Sequence, residues 1–556
     1  MTLFSKFLVI FLALYFPFQV FSQDQSKNST LEDFLKVMKE EESKTKSQKK
    51  KQSKSDSLNI GVIKEDKKII KKFPNKDSNP YSEYHNLLAA IHLDSQISGG
   101  DYSLRELADI LNENKIDIGI FTDHDNMKIE YGLPFLRNFS FSQEKNSIST
   151  LGEEEYISRI NSLRNHYGNL ILLHGSEVIP YYFWEIDWES LTFKIMNFHK
   201  HLLVLGLETA EDYANLPSIK SGYKNNFSFW YLLNIIPFIT LWFGVKIFRT
   251  VINTQVRKYG VLHDKKRGFK REGSIIIVLS VIYILNNFPY FVAPIYDQYE
   301  DSGEKPYQEL IDYVNAKGGM VFWAHPEKSN NLDLGKTLGM NVRMQTKDYS
   351  NSLAQTTGWT GFATFWEGAK RTGSIGGIWD QQLKQFCLSN QENPTWSISE
   401  LDFDGGDPKN IAESLTLLYT HERDKKGVLK AIRKGRMVNF RNFAHTYLSF
   451  NEFSVKNSKD FKKIIGETLS LEKGENPVFR LDFDIDEKMK EKLTLFFIKD
   501  GKILEERILE KGENYFEIED AEYTHRQKSF YRVIIGKGEQ KFFVFMTNPI
   551  FVSSIE

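Results

Sequence analysis

The sequence predicts an α/β fold that is interrupted by two membrane-spanning helices and followed by an all-β region. Residues 84–226 and 298–448 alternate short apolar runs with helix-like segments, and several of the runs end in His, Asp or Glu. That pattern is typical of α/β sheets whose strands end at a functional edge. Two apolar stretches of bilayer-spanning length lie between these parts. From residue 449 onward, apolar residues recur with a period of two, which predicts strands.

The composition is that of a large globular protein. The chain has 556 residues, of which 41% are hydrophobic and 26% are charged, so several domains with a sizeable core are expected. The formal net charge of −1 predicts no polyanionic partner and therefore no nucleic acid. Cys387 is the single cysteine, which excludes a disulfide within the chain and a cysteine-based zinc site. We interpret Cys387 as a packing residue rather than a nucleophile.

The amino-terminal segment has the features of an export signal. Residues 1–22 carry Lys6 before an apolar run at positions 7–21, which predicts a signal peptide or an uncleaved N-terminal anchor. A buried first helix is the alternative. Residues 23–83 are rich in Lys and Ser and contain few apolar residues, so we expect a disordered tether. Either form of the export signal sends the residues that follow it across the membrane.

Residues 227–297 predict a transmembrane hairpin. Its apolar stretches, 227–245 and 274–296, are each close to the roughly 20 residues that cross a bilayer. The loop between them is strongly basic, with only Asp264 and Glu272 opposing its positive charges. Those charges are Lys246, Arg249, Arg257, Lys258, Lys265, Lys266, Arg267, Lys270 and Arg271. By the positive-inside rule the loop faces the cytoplasm, so the flanking domains are expected on the extracytoplasmic, periplasmic side of the cell membrane. A pair of buried helices in a large soluble core is the alternative.

The most informative part of the chain is a predicted β-α-β unit. A first apolar run ends at His92 and Asp94. A helix over 103–114 follows, with a capping box at its start. A second apolar run, 116–122, is followed by His124. Polar residues thus stand at the carboxyl ends of both strands, which is the edge where α/β barrels place their chemistry.

Later segments carry similar residues where a strand is predicted to end or begin. One predicted strand ends in Glu177, another begins after His199 and His201, and a third ends in His325. The string Glu-Leu-Asp-Phe-Asp at 400–404 follows. Each piece alone is a weak signal, because a lone histidine near a strand is more often a core or surface residue. Six such pieces in a fixed order are a much stronger one.

These motifs and their order resemble the PHP (polymerase and histidinol phosphatase) family over about residues 84–435. The resemblance implies a distorted (β/α)7 barrel with two or three divalent metal ions, Mn²⁺, Fe²⁺ or Zn²⁺, at the carboxyl ends of its strands. Carried over position by position, it implies three metal sites. Their ligands are His92, Asp94, Glu177 and Asp402 for the first, Glu177, His201 and His325 for the second, and His124 and Asp404 for the third. His199 is the alternative to His201, which we prefer because it directly precedes an apolar run.

The chain departs from the family pattern at two of these ligands. The family's His-x-His motif is represented by His92 and Asp94, and its Asp-x-His motif by Asp402 and Asp404. An aspartate of the family is also displaced here, with Asp101 close to its expected position. A carboxylate still binds metal, but it makes the site harder and shifts its preference from Zn²⁺ toward Mn²⁺, Fe²⁺ or Mg²⁺.

The activity that the resemblance implies is hydrolysis of a phosphoester. Two or three metal ions would activate a water for attack on a phosphorylated substrate, whose identity the sequence does not specify. The lipid bilayer is the second expected partner. A non-catalytic metal- or ligand-binding protein on a degenerate scaffold of the same kind is the alternative, and a membrane structural protein is a third interpretation.

The carboxy-terminal residues predict a different architecture. A helix over 425–434 resembles the closing helix of the family. Residues 449–556 are expected to form a β-sandwich, with an alternating strand at 478–485 and a hairpin turn at Asp500 and Gly501. Because this region carries no catalytic motif, we interpret it as a packing or accessory binding domain.

Overall fold

The computed structural model describes residues 79–555 except 134–135, 220–222, 225–228, 259–260, 288–292, 295, 297, 338–339, 390–392 and 525–527. The predicted export signal and nearly all of the predicted tether lie outside the described residues.

Strands occur along the whole described part of the chain and are numbered here in chain order. In the first half they are β1 (His85–Leu93), β2 (Ile118–Phe121), β3 (Met127–Leu133), β4 (Leu136–Lys145), β5 (Ile171–Val178), β6 (Phe183–Asp187), β7 (Thr192–Met196), β8 (Leu202–Leu205), β9 (Tyr223–Lys224), β10 (Val251–Lys258), β11 (Val261–Gly268), β12 (Ala293–Pro294), β13 (Met320–Trp323), β14 (Asn330–Thr337) and β15 (Met340–Thr346). In the second half they are β16 (Gly361–Phe365), β17 (Trp396–Ser399), β18 (Ser414–Thr420), β19 (Met437–Arg441), β20 (Leu448–Lys456), β21 (Lys462–Ile464), β22 (Thr468–Leu471), β23 (Val478–Ile485), β24 (Leu493–Lys499), β25 (Lys502–Leu509), β26 (Gly512–Glu519), β27 (Ser529–Lys537), β28 (Phe542–Thr547) and β29 (Ile550–Ser554).

Helices lie almost entirely before residue 434. They are α1 (Leu104–Glu113), α2 (Ile148–Leu151), α3 (Glu153–His166), α4 (Ala210–Ala214), α5 (Ile236–Arg249), α6 (Lys270–Asn286), α7 (Lys305–Ala316), α8 (Ser352–Gln355), α9 (Ile378–Leu388) and α10 (Lys425–Arg433). Short 3₁₀ helices occur at Pro80–Glu83, Phe229–Ile235, Pro408–Ala412 and Ala444–Thr446.

The helix α1 shows how local sequence sets an element's start. The Ser103 hydroxyl accepts the Glu106 backbone N–H, and the Glu106 carboxylate accepts the Ser103 backbone N–H. These two bonds satisfy donors that no preceding turn can pair, so the helix begins at this point. The predicted capping box is confirmed.

Seven strands form a continuous run in the order β17-β16-β13-β8-β5-β2-β1. All neighbours in it are parallel except β8, which is antiparallel to both β5 and β13. The reason is the connection: the hairpin β6–β7 returns the chain to the edge where β5 ended, whereas a parallel strand would need a crossover from the opposite edge. The amino end of β8 therefore lies beside the carboxyl ends of the other strands.

The two ends of this run meet. The Leu401 N–H donates to the Ile91 carbonyl at 3.1 Å, and the Phe403 N–H donates to the His92 carbonyl at 3.0 Å. In return, the Asp94 N–H donates to the Phe403 carbonyl at 2.9 Å. The residues after β17 thus lie along the end of β1. The predicted mixed α/β class is confirmed by this sheet and its flanking helices.

The sheet continues into the carboxy-terminal region. Strand β1 also pairs with β18, and the order β18-β19-β28-β27-β24-β25 extends the same sheet across the predicted boundary at residue 449. A second sheet, β21-β20-β23-β26, shares an aromatic-rich core with it. The core includes Phe453, Phe479, Phe497, Tyr531 and Phe545. The predicted strand at 478–485 and the hairpin turn at Asp500 and Gly501 are both present as β23 and β24–β25.

The helices α5 and α6 pack against each other through small and polar residues and expose their large apolar side chains. Their buried positions are small or polar, whereas large apolar side chains are exposed. The buried ones include Gly244, Gly273, Ser280 and Asn286. The exposed ones include Ile236, Phe238, Ile239, Trp242, Phe243, Ile275, Val278, Leu279 and Leu285. A helix pair in water shows the opposite arrangement.

One helical segment of the described chain, Leu232–Arg249, is long and apolar enough to cross a membrane, with a mean hydropathy of 1.5. Of the second predicted span, 274–296, the described residues form a helix as far as Asn286, and residues 288–292 and 295 lie outside them. Its helix, α6, has 17 residues, and its first turn contains Lys270, Arg271 and Glu272, which shortens the apolar part. The basic loop between the helices forms the antiparallel hairpin β10–β11, whose pairing begins at Val251 and Gly268.

Candidate metal centre

The candidate site lies at the edge of the seven-strand run where most strands end and β8 begins. Six of the eight residues that the sequence analysis assigned as ligands converge there, in two groups that share one residue. The first group is His92, Glu177, His325 and Asp402, and the second is His124, Glu177 and His201. Within each group the potential ligand atoms lie within 4.8 Å of one another.

Glu177 is the shared residue, and four imidazoles surround its buried carboxylate. Its Oε2 atom is 3.2 Å from His92 Nε2 and 3.2 Å from His124 Nε2. Its Oε1 atom is 3.3 Å from His325 Nε2 and contacts His201 Nδ1. Each carboxylate oxygen therefore faces two ring nitrogens.

The second nitrogen of His92 and of His201 is held by a group that only accepts hydrogen bonds. His92 Nδ1 is 2.9 Å from a Glu400 carboxylate oxygen, and His201 Nε2 is 2.8 Å from the Phe198 carbonyl oxygen. Both nitrogens must carry a proton to make these bonds. In a neutral ring the other nitrogen then presents its lone pair, and in both residues that nitrogen faces Glu177.

His325 is oriented in the same way. Its Nδ1 atom is 2.7 Å from the Tyr349 hydroxyl, which itself donates to the Ala324 carbonyl at 2.7 Å. Because the Tyr349 proton is already used, the hydroxyl accepts from His325 Nδ1–H. The Nε2 lone pair of His325 consequently points toward Glu177.

An imidazole lone pair directed at a carboxylate repels it unless a proton or a metal ion lies between them. A divalent ion supplies a positive charge, and ligands about 2.1 Å from one ion lie about 3.0–3.4 Å apart. The Glu177 carboxylate lies at such distances from His92 and His325, at 3.2 and 3.3 Å. Metal-bound histidines characteristically donate their other N–H to a carboxylate or a carbonyl. Among the described residues, the buried atoms His92 Nε2 and Asp94 Oδ1 also have no hydrogen-bond partner. The residues present therefore fit divalent metal ions.

The two remaining assigned ligands lie outside both groups. Asp94 is buried beside the site, where burial raises the pKa of its carboxyl group. Asp404 is exposed, and its backbone carbonyl accepts the Asp101 N–H at 2.7 Å. His199, the alternative to His201, is buried with its ring 5.8 Å from that of His201 and is likewise outside both groups.

The grouping also differs from the position-by-position assignment. His325 lies with His92 and Asp402 rather than with His201. His124 lies with His201, whereas Asp404, its expected partner, is elsewhere. The ring of His201 lies 5.2 Å from that of His124 and 5.3 Å from that of His325, and both His201 and His325 face the same oxygen of Glu177.

Three of the converging residues have left-handed backbone conformations. The φ angles are 70° at His92, 25° at His325 and 53° at Asp402. Such conformations cost about 1–3 kcal/mol each in residues other than glycine. At His92 the change accompanies a register shift between Ile91 and Leu93 in the pairing with β2. The strand ends are thus bent, which directs these side chains across the edge of the sheet.

Sequence reasoning missed the residues that orient the ligands. Glu400 is fully buried; its Oε2 atom accepts from His92 Nδ1, and its Oε1 atom accepts the His325 backbone N–H at 2.6 Å. Lys328 Nζ lies 3.0 Å from an Asp402 carboxylate oxygen. The signals in the sequence were the Glu-Leu-Asp-Phe-Asp string and the lysine three residues after His325. Neither signal indicates which histidine is contacted.

The electrostatics of the site differ among its rings. The Glu177 and Glu400 carboxylates outweigh burial and raise the pKa of His92 well above its usual value, so that a metal ion bound there would displace a proton. Burial lowers the pKa of His124 to about 4, and burial together with the Lys328 charge lowers the pKa of His325. Both rings are therefore neutral at pH 7. Burial acts against ionisation of Glu177, yet the surrounding histidines hold its pKa well below the usual range.

Comparisons with known proteins give structural neighbours only. No family model matches the chain, and no curated protein matches it. A two-domain protein containing a predicted PHP-like metal-dependent phosphoesterase from Bacteroides vulgatus aligns with 81% of this chain and 91% of its own, with 10% identity and a TM-score of 0.31. A candidate metal-dependent phosphoesterase from Bifidobacterium adolescentis aligns with 43% of this chain and 67% of its own, with 14% identity and a TM-score of 0.18. The neighbours are thus described as metal-dependent phosphoesterases, at low identity and low TM-score.

Proposed function

We propose that this protein is a metal-dependent hydrolase of phosphoesters. The observation that carries the proposal is the set of imidazole lone pairs directed at the buried Glu177 carboxylate. One ion would be held by His92, His325, Asp402 and Glu177, and a second by His124, His201 and Glu177. Bound divalent ions supply an activated water at neutral pH and offset negative charge on phosphoryl oxygens.

The chain's own residues prepare this chemistry. Glu400 and Tyr349 bind the Nδ1 atoms of His92 and His325, so that the Nε2 atom of each ring faces the position where a metal ion would lie. Lys328 places a positive charge at the border of the site, beside Asp402, where it attracts an anionic phosphoester. Burial of Glu177 keeps competing water away from the shared carboxylate.

The proposed fold for this activity is the distorted seven-stranded barrel, followed by a β-sandwich. The hydrogen bonds of Leu401 and Phe403 to the end of β1 support closure of the seven-strand run. The shared core of the two carboxy-terminal sheets supports the sandwich.

We also propose that α5 and α6 insert into a bilayer, with β10–β11 on the cytoplasmic side and the described residues before α5 and after α6 on the extracytoplasmic side. The side-chain arrangement of the pair supports insertion, because large apolar side chains face outward while polar ones face the partner helix. The basic hairpin β10–β11 supports the orientation, since Lys265, Lys266 and Arg267 favour the cytoplasmic side.

The test begins with metal content. The full chain, purified in detergent without chelator, is expected to contain Mn, Fe or Zn by elemental analysis and to hydrolyse bis(p-nitrophenyl) phosphate or p-nitrophenyl phosphate. Glu177→Gln and His201→Ala should lose both properties. His166→Ala is the matched control, because His166 is an exposed imidazole on α3. Protein that binds no metal even after addition of Mn²⁺ would contradict the proposal.

A metal-binding protein without hydrolase activity is the second candidate. The placement of Asp94 and Asp404 outside both groups favours it, because the implied first metal site then lacks one carboxylate and the implied third site lacks its only one. Metal bound at Glu177 without turnover of either nitrophenyl ester would distinguish this candidate from the first.

A further inference from the structure

The candidate metal centre and the helix pair lie at the same edge of the seven-strand run. Strands β3 and β4 form a hairpin that begins at Met127, three residues after the ligand His124. The backbone of β4 lies against α6. One hairpin therefore connects the surroundings of a metal ligand directly to a helix that exposes apolar side chains.

The connections of the helix pair are attached to this edge as well. The chain entering the pair and the chain leaving it are joined by β9 and β12, through Lys224 with Ala293 and Tyr223 with Pro294. Beyond this junction, the Ile219 N–H donates to the Ile179 carbonyl at 3.4 Å. Ile179 is two residues from the shared ligand Glu177. The helix pair thus leaves the fold next to the candidate metal centre.

The residues that follow α6 are also bound to the metal-ligand edge. The Trp184 N–H donates to the Gln298 carbonyl at 2.6 Å, and the Tyr181 hydroxyl donates to the Glu300 carbonyl. Trp184 also donates through Nε1 to the Glu130 carbonyl of β3 at 2.8 Å. These contacts fix β3, β6 and the base of the helix pair to one another.

A second apolar feature projects from this edge. The turn between β6 and β7 exposes Trp188 by 72% and Leu191 by 53%. The hairpin leaves the sheet after Glu177 and returns before His201, so its tip lies beyond the metal-ligand edge. Two large apolar side chains at such a tip favour contact with lipid over water.

From the contacts between the helix pair and the metal-ligand edge, and from the exposed tip of the β6–β7 hairpin, we propose that the phosphoester is carried by a membrane lipid. The metal-ligand edge faces the bilayer surface, and the β6–β7 tip enters the interface beside it. A lipid headgroup then reaches the ligand residues while its chains stay in the bilayer. This inference rests on the proposed phosphoesterase activity and specifies its substrate class.

The experiment compares the same headgroups presented in two ways. The full chain in nanodiscs of phosphatidylcholine is loaded with Mn²⁺ and given dioleoyl phosphatidic acid or dioleoyl phosphatidylglycerol. Their dibutanoyl forms, which are water-soluble, and the two nitrophenyl esters are assayed in parallel. We expect kcat/KM for at least one long-chain lipid to exceed that of its dibutanoyl form by about tenfold or more, because the bilayer concentrates substrate next to the site.

Variants separate lipid contact from damage to the fold. Trp188→Ser combined with Leu191→Ser should lower the ratio of long-chain to short-chain hydrolysis several-fold. Phe461→Ser is the matched control, since Phe461 is 66% exposed but belongs to the carboxy-terminal region. An unchanged ratio in the double variant would contradict the role of the tip and, with it, the proposed orientation.

The remaining outcomes are distinguishable. Equal or faster hydrolysis of the dibutanoyl forms would overturn the lipid substrate while leaving the phosphoesterase intact. Hydrolysis of the nitrophenyl esters without hydrolysis of either lipid would also overturn the lipid substrate and leave the phosphoesterase proposal standing. No hydrolysis of any of these esters by metal-loaded protein would instead overturn the proposed function, and the lipid inference with it.

Discussion

At the residue scale, Glu400 holds two histidines from distant parts of the chain, the ring of His92 and the backbone of His325. One carboxylate oxygen accepts from His92 Nδ1 and the other accepts the His325 N–H. Both oxygens are needed, because each bond uses a different donor. An amide in the same place offers one acceptor only.

The Glu400→Gln variant should therefore weaken metal binding. Its NH₂ group would favour the His92 tautomer that carries its proton on Nε2, which blocks the ligand position. We expect metal affinity to fall about 10- to 100-fold, as for other residues that orient metal ligands. Calorimetric titration of the metal-free protein with Mn²⁺ measures this affinity. Glu452→Gln is the control, because Glu452 is a buried carboxylate in β20, away from the site; equal losses in both variants would contradict the orienting role.

His174 predicts a pH dependence of stability that is independent of the metal. Burial, with smaller contributions from Lys425 and Arg164, lowers the pKa of this imidazole to about 3. His174 takes up a proton near pH 6.5 in the unfolded chain but not in the folded one. The free energy of unfolding is therefore highest above pH 6.5 and falls as the pH drops toward 3. At pH 5 the loss is about 2 kcal/mol.

Thermal unfolding at pH 7 and pH 5 tests this prediction. His174→Gln should reduce the difference in Tm between the two pH values, because the titrating group is gone. His166→Gln, an exposed imidazole, should leave the difference as it is in the parent protein. A difference that persists unchanged in His174→Gln would assign the pH dependence to other groups.

At the element scale, the helix pair is built around close contacts that only small residues allow. A Cβ atom on Gly273 would lie 2.5 Å from backbone atoms of Phe248. Thr240 and Ser280 join the two helices by a hydrogen bond of 2.8 Å between their hydroxyls. Small residues and hydroxyls between helices are typical of association within a membrane.

Gly273→Leu should separate α5 from α6. We expect a loss of about 1–3 kcal/mol from overpacking, seen as a lower Tm of the detergent-solubilised chain. Gly268→Leu is the control, because nothing lies within 4 Å of a Cβ atom at that position. Equal stability of the two variants would show that α5 and α6 do not pack as described.

At the scale of the whole molecule, the carboxy-terminal sheets are joined to the α/β part by a buried ion pair. Arg532 on β27 makes two bonds of 2.7 Å to the carboxylate of Asp380 on α9. Both side chains are inaccessible to solvent. Asn548 adds a further link, since its amide bonds to the backbone of Ser397 at the end of the seven-strand run.

Removing one member of this pair should destabilise the molecule. Arg532→Met leaves the Asp380 carboxylate buried without its cation, at a cost of about 3–5 kcal/mol. The double variant Arg532→Met, Asp380→Leu should recover a large part of that loss, because no unpaired charge remains. Denaturant unfolding of each variant measures the difference. Arg480→Met, which breaks the more exposed contact with Glu517, is the control and should cost much less.

The sequence by itself determined the local elements and most of the ligand set. The capping box of α1, the strand endings at Glu177 and His325, and the carboxy-terminal alternation depend on neighbouring residues, so a linear pattern reveals them. Tertiary structure alone decided the direction of β8, the left-handed backbone at His92 and the contact between His92 and Glu400, which are 308 positions apart. Contacts of that separation depend on how the sheet closes, and no short stretch of sequence encodes them. The exclusion of Asp404 from the candidate metal centre was decided in the same way, because its side chain turns away only once the chain after β17 is laid along β1.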